Sequence, residues 1–588
     1  MFHALSARID AILRDAFQVL HLPVSHARAA PCSRPELADF QCNGAMPAAK
    51  ATGRLPREIA ETVAEHLGTH AAFAEVSVAG PGFINMRLAP SLLAEVAAEL
   101  LSDTHQGIED AGQGRLAVID FGGPNVAKPL HVGHLRSLVI GESLRRLLHA
   151  QGWRVMADAH LGDWGLQMGM LTSTLRLRAP HLPWFIAGFG GPWPDTAPVT
   201  LSELERLYPQ AASACRDDPE RMAQARADTA ALQAGDPGLL ALWRSLRTLS
   251  LHAQQSDFAS LGVHFDLLLG ESDAQSIIPA MIEDLRTRGV ARESDGALVI
   301  DVARPDDRHD VPPLLLSKQD GAALYATTDL ATLIPRIQQM QAARIIYVVD
   351  QRQALHFEQV FRAAEKAGLS HGVQLQHVGF GTVNGPDGKP YKTRQGGVAR
   401  LVDLLDEATA KAAERITQSG HGAGFSEEEK HQLARKVGVA AVKFADLSGD
   451  RRSGYVFDPD RLVSFEGRTG PYLQYACVRI QSIQRKAKEQ GVHMGLPMPE
   501  ARTERELLLA CLAFPDTVAE AVQQLQPGVL AEYAFELAQR FSRFYAECPV
   551  LAAERAEQRE TRLAICQLTG LLLARSLDLL GIDVPGRM

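Results

Sequence analysis

The sequence predicts a multidomain α/β protein: a doubly wound parallel sheet in the middle, an α+β segment before it and an all-α bundle after it. Three observations carry that expectation. Leu116-Ala117-Val118-Ile119 is a continuous apolar run of the kind a strand buried on both faces shows, and a helical period followed by a strand at Val155 to Ala159 completes a βαβ unit. Three further strand-like runs, 324–329, 344–350 and 378–383, alternate with helical stretches at 330–341 and 356–367. Beyond about residue 400 the strand signals stop, and helical periodicity dominates from Lys430 to Leu580.

The bulk properties narrow the class. A chain of 588 residues has room for about three to four domains, each with its own core. The most apolar stretch, Leu563 to Ile582, carries Arg575 and Asp578 and reads as a buried helix, so no membrane partner is expected. The first helix contains Asp10 and Asp15, unlike a signal peptide. Seven scattered cysteines without a CxxC pair argue against a zinc ribbon and a disulfide framework, and place the chain in the cytoplasm. With a net charge of −9, any contact with nucleic acid must come from local basic patches.

In chain order, residues 1–112 form an α+β module, with helices at Pro56 to Leu67 and Leu92 to Leu101 around strands at Ala74 to Val78 and Phe83 to Leu88. Gly80-Pro81-Gly82-Phe83 is a turn into the last strand, and by itself only a hairpin. Asp120 to Ser137, DFGGPNVAKPLHVGHLRS, follows the buried strand as a loop and then opens a helix at His131-Val132-Gly133-His134. Free N–H groups and the helix dipole at such a start suit phosphate. Two histidines three apart share one face, with Gly133 leaving room for a flat ring, though cap or core roles explain them equally well. HLGDWGLQMG after the second strand sets His160, Asp163 and Gln167 at a strand end, where an ordinary satisfied turn is the alternative for Asp163. About 172–265 reads as a helical insertion, with helices at Glu220 to Gln233 and Gly238 to Leu261. Its GFGGP is a loop, since no strand leads directly into it. The basic turn at 388–397, GKPYKTRQGG, is flanked by glycines and suits a mobile cover over a triphosphate.

PNVAKPLHVGHLRS closely resembles the HIGH signature of class I aminoacyl-tRNA synthetases in the form found in arginyl-tRNA synthetases. DFQCNGAMPAAK and AGPGFINMRL resemble that family's N-terminal domain, HLGDWG and YATTD its second and third motifs, and KPYKTR its degenerate KMSK loop. The helical C-terminal strings and the closing LLGIDVPGRM resemble the DALR-type anticodon-binding domain. The resemblance implies a Rossmann-like catalytic domain at 113–425, a tRNA-contacting domain at 1–112 and an anticodon-binding bundle at 426–588. It implies an ATP-dependent ligase acting on L-arginine and its tRNA in the cytoplasm, as a monomer. Activation would pass through arginyl-adenylate, formed weakly until tRNA is present. Mg²⁺ would ride on the ATP phosphates, with no side chain as metal ligand.

Site residues follow by motif. Asp120, Asn125, Tyr325, Asp329 and Gln353 would line the arginine pocket; His131, Gly133, His134, Lys392 and Arg394 would hold ATP; and Lys128, His131, His134 and Lys392 would be catalytic. The chemistry fits, because a guanidinium is a rigid fork of donors that carboxylates such as Asp329 and Asp120 accept pairwise. Phe83 and Asn85 would stack on and hydrogen-bond an exposed tRNA base. One departure is Gly122-Gly123, where the family usually has a serine-rich pair. Two rivals stay open: a cysteinyl synthetase, which would need a thiol-selective zinc site, and a catalytically silent paralogue that binds tRNA.

Overall fold

A computed structural model describes residues 2–317, 324–391 and 399–588. The chain divides into two compact units. One comprises Asp110–Gln418 and Val437–Val463, the other Met1–Glu109, Ser419–Lys436 and Ser464–Met588.

The smaller unit begins with a four-stranded antiparallel sheet of β1 (Ala29–Pro31), β2 (Phe40–Cys42), β3 (Phe73–Ala79) and β4 (Phe83–Leu88), in the order β1-β2-β4-β3. Helices Pro56–Gly68 and Pro90–Ser102 each start on a proline whose missing N–H costs nothing there. The rest of this unit is helical, and Arg505 from the C-terminal helices donates to the Leu88 carbonyl at 2.7 Å and pairs with Asp39. Both chain ends therefore share one unit. The apolar stretch at 563–582 is the end of helix Ala556–Leu579, buried among its neighbours. No helix among the described residues is long and apolar enough to cross a membrane.

The larger unit is built on β5 (Leu116–Phe121), β6 (Arg154–Asp158), β10 (Arg344–Val348) and β11 (Gln374–His377), all parallel, in the order β11-β10-β5-β6. A small antiparallel sheet, β7 (Arg292–Ser294), β8 (Ala297–Ile300) and β9 (Leu314–Ser317), lies between them in sequence. All six residues of β5 are buried, which explains the unbroken apolar run. Successive strands are added on opposite sides of β5, so a crevice opens between the carboxyl ends of β5 and β10, where such folds bind ligands. Helix Val132–Ala150 closes against this sheet so tightly that a Cβ at Gly141 would lie 2.3 Å from the Phe121 ring.

Three expectations are corrected. Residues 324–329 are not a strand but the start of helix Tyr325–Ile334. The β-branched run is misleading because Thr327 turns inward and its N–H bonds the Leu324 carbonyl at 2.9 Å. The run at 378–383 is not one strand either. β11 ends at His377, and β12 (Val383–Asn384) pairs instead with β13 (Tyr455–Val456), a strand inside the stretch expected to be wholly helical. Between them, Gly379 and Gly381 pack with no room for side chains, their Cβ positions lying 2.0 Å from Gln351 and 2.7 Å from the Arg452 carbonyl.

Candidate active site

A cavity of about 870 Å³ fills the crevice, bounded by the loop after β5, the start of helix Val132–Ala150 and the Tyr325 and His356 turns. The loop leaves β5 through two glycines that the geometry demands. Gly122 sits at φ +71°, where a Cβ would meet Leu138 at 2.5 Å, and a Cβ at Gly123 would lie 2.3 Å from the His160 carbonyl. Behind this pair Ser137 Oγ accepts from the Gly122 N–H at 2.7 Å and donates to the Val348 carbonyl at 2.6 Å. That one hydroxyl ties loop, helix and β10 together.

His131 and His134 form a reciprocal cap. The Gly133 N–H donates to His131 Nδ1 at 3.0 Å, and the His131 N–H donates to His134 Nδ1 at 3.1 Å. Both Nδ1 atoms therefore act as acceptors, which puts each ring proton on Nε2 and makes both residues neutral N–H donors. Burial pushes both titrations down, with Lys128 adding to His131 and His131 adding to His134, which falls to about 3. The rings lie 4.0 Å apart, and a Cβ at Gly133 would sit 2.7 Å from the His131 ring. The cap and the nucleotide reading are thus compatible, since capping consumes Nδ1 and leaves Nε2.

Also lining the cavity, Tyr325 is 73% exposed and Asp329 Oδ2 lies 2.5 Å from His356 Nε2. Gln353 is exposed on the turn after β10, and Asn125 makes a bridge to Gly162, whose missing Cβ would fall 2.1 Å from Asn125 Oδ1. Glu271, not singled out in the sequence, also lines the cavity. Burial, then Asp163, pushes its carboxyl up to about 7. It sits in a short helical turn with no motif around it, and its backbone N–H bonds the Leu161 carbonyl at 3.1 Å. Only the fold brings it opposite Asp329. His160 lines the same cavity with both ring nitrogens buried and without a partner among the described residues.

Two motif carboxylates serve the protein itself. Asp163 is fully buried and bonds Arg247 Nε at 3.0 Å and Ser272 Oγ at 2.8 Å, anchoring the turn that carries Glu271. Asp120 lines the cavity, but its carboxylate, like that of Asp158 in register on β6, accepts from Arg336 Nη2 at 2.6 Å. Arg336 also donates to the Tyr347 hydroxyl at 3.0 Å. Burial opposes its charge, yet Tyr347, Asp120 and Asp158 hold the guanidinium charged well above the ordinary range. Asp120, expected to grip a substrate guanidinium, thus already holds the chain's own. Asp120, Asp158 and His160 lie close enough to share a cation, but the Arg336 guanidinium bonded to both carboxylates supplies their counter-charge.

Lys392 and Arg394 lie outside the described residues. The chain on either side is fixed: the Tyr391 hydroxyl donates to Glu407 at 2.9 Å, and Ala399 and Leu401 pair with Val132 and Leu130 at 3.0 and 2.9 Å. In the other unit, Phe83 is half-buried on β4, against Gly80. Asn85, two residues on, is only 4% exposed, with its Oδ1 unpartnered among the described residues.

Three family models match the chain. "Arginyl tRNA synthetase N terminal domain" matches residues 3–88, "tRNA synthetases class I (R), catalytic domain" 95–459, and "DALR anticodon binding domain" 473–588. An arginine–tRNA ligase of Maricaulis maris is 49% identical over 586 residues, covering 100% of both chains. One from Hyphomonas neptunium is 46% identical, again over 100% of both. Among solved structures, Thermus thermophilus arginyl-tRNA synthetase superposes with a TM-score of 0.80 at 26% identity, covering 99% of this chain and 100% of the other.

Proposed function

This chain belongs to the arginyl-tRNA synthetase family and is an ATP-dependent arginine–tRNA ligase, and from that premise we propose how its own residues divide the reaction. Glu271 and Asp329 form the carboxylate pair for the substrate guanidinium, with Tyr325 beside it. Asn125, Gln353 and His160 face the α-amino and carboxylate end. His131 and His134 donate from Nε2 to the ATP phosphates around the Gly133 gap, and Lys128 adds positive charge, joined by Lys392 and Arg394. The observation that carries this reading is that the Glu271 and Asp329 carboxyls and the His131–His134 pair line a single cavity.

An arginine carboxylate oxygen would attack the α-phosphorus, the α–β bridging P–O bond would break, and pyrophosphate would leave. The terminal ribose hydroxyl of the tRNA would then attack the arginyl carbonyl, with AMP leaving. No side-chain nucleophile is needed; alignment and charge stabilisation suffice. Mg²⁺ enters with ATP as part of the substrate, held by its phosphates. In this reading residues 1–112 contact tRNA through Phe83, Asn85 being too buried to reach a base, 113–425 carry the chemistry with the insertion at about 172–265, and 426–588 bind the anticodon arm. A cytoplasmic monomer agrees with the free cysteines and with one cavity that contains both ends of the site.

ATP–pyrophosphate exchange with each amino acid, with and without tRNA, tests the assignment. Arginine alone should support exchange, weakly until tRNA is added. Exchange with cysteine or glutamine would overturn the pocket reading.

A further inference from the structure

Lys128 does not project into open solvent. Its Nζ lies 4.5 Å from the centroid of the Tyr208 ring, on helix Leu201–Asp217 of the insertion. Leu204 and Leu207 of that helix pack into the insertion's core, which also takes in Val126 and Ala127 from the loop before the histidine pair. The insertion grips the backbone around the lysine as well. The Ala127 N–H donates to Ser250 Oγ at 3.0 Å, and Gln254 Nε2 donates to the Asn125 carbonyl at 3.1 Å. Ala127 is held at φ +68°, a conformation an alanine keeps only when its surroundings impose it. Glu205, three residues before Tyr208 and on the same helix face, reaches Arg400 at 3.8 Å, and Arg400 bridges to His131. One insertion helix thus touches the lysine before the histidine pair and the segment that follows residues 392–398.

The geometry points to Tyr208 as a positioning residue for adenylate formation, its ring holding the Lys128 ammonium beside the histidine pair so that the charge is in place when pyrophosphate departs. A lysine stem samples many rotamers, and a ring face under the ammonium selects among them. The ring covers one side of the cation only, so N–H donors on its other sides stay available to phosphate oxygens. The charge of Lys128 is already felt by both histidines. This inference rests on the reading of Lys128 given under Proposed function.

The test is a two-residue cycle read by single-turnover adenylate formation in the presence of tRNA. Tyr208→Leu should slow the step by about three- to thirtyfold while the ATP KM moves less than about twofold, and Tyr208→Phe, which keeps the ring, should restore the rate. In a Lys128→Met background, Tyr208→Leu should add nothing further. Equal slowing in both backgrounds would make Tyr208 merely structural and overturn the proposal while leaving the Lys128 reading intact. An unimpaired Lys128→Met enzyme would refute that reading, and this inference with it. Reductive ¹³C-methylation of the wild-type enzyme gives a second measurement that requires no Tyr208 variant. The Lys128 dimethylamino signal, identified by its loss in Lys128→Arg, should be displaced by the ring and move when ATP is added. A signal at the free-lysine position would overturn the proposal.

Discussion

Glu271→Gln should separate what the arginine end does for the substrate from what it costs the fold. Burial, with Asp163 behind it, raises this carboxyl from an ordinary 4.5 to about 7. A carboxyl raised in the folded chain contributes stability that is complete below its ordinary value and is lost as pH climbs through the folded one. At about 1.4 kcal/mol per pH unit, ionising Glu271 in the empty pocket costs roughly 3 kcal/mol by pH 8. Glutamine carries no such cost, so the ligand-free variant should melt above wild type at pH 8 and close to it at pH 5. Catalysis should move the other way. Losing a charge-assisted bond to the guanidinium costs about 1.5–3 kcal/mol, one to two decades in kcat/KM for arginine. Because the guanidinium needs the ionised form, the wild-type arginine KM should also rise by about tenfold per unit as pH falls below 7, a slope the variant lacks. The assay is exchange with tRNA present and arginine varied between about pH 5.5 and 8.5, beside melting curves of the free enzyme. A flat wild-type KM below pH 7, or a variant that melts below wild type at pH 8, would refute the reasoning.

Asp329→Asn should raise the arginine KM at a cost of about 1.5–3 kcal/mol with the melting point held, and an unchanged KM would reduce Asp329 to the partner of His356. Lys128→Met should lower kcat for adenylate formation by roughly 2–4 kcal/mol with a smaller change in ATP KM, and Lys392→Met should cost less; single-turnover rates in the reverse order would exchange their roles. Arg336→Met leaves two buried carboxylates facing each other and should destabilise by about 3–5 kcal/mol, relieved in part by adding Asp120→Asn. Thermal melts of the single and double variants decide it. Phe83→Ala should weaken tRNA binding while leaving ATP affinity unchanged, as removal of a stacking platform would; equal tRNA affinity in a filter assay would return Phe83 to the core.

What could be read from the sequence was whatever is local. β5 and the helix opening at His131 declare themselves because apolar period, turn glycines and capping residues act within a few positions of one another. The YATTD segment failed for the same reason: its β-branched residues carry a local strand signal, and Leu324, Thr327 and Leu330 fold it into a helix through contacts that pattern alone does not rank. Glu271 is the instructive omission in the site. It lies in an unremarkable ESDA turn, and only burial beside Asp163 and the chain's return to Asp329 make it a carboxylate of interest. Asp120 is the converse, because its motif position was legible but its partner lay 216 residues away. Gly122 and Gly123, which read as a missing pair of hydroxyls, prove to be a left-handed backbone position and a close approach to the His160 carbonyl.

The Arg336 clamp has a kinetic consequence. An enzyme that must recognise free arginine risks offering it more than one place to lodge, and without Arg336 the carboxylates of Asp120, at the cavity wall, and Asp158, buried on the neighbouring strand, would be a second guanidinium berth. By filling that berth with a guanidinium of its own, the chain removes the competitor before any substrate arrives. With the guanidinium placed between Glu271 and Asp329 as proposed, excess arginine should therefore not inhibit adenylate formation.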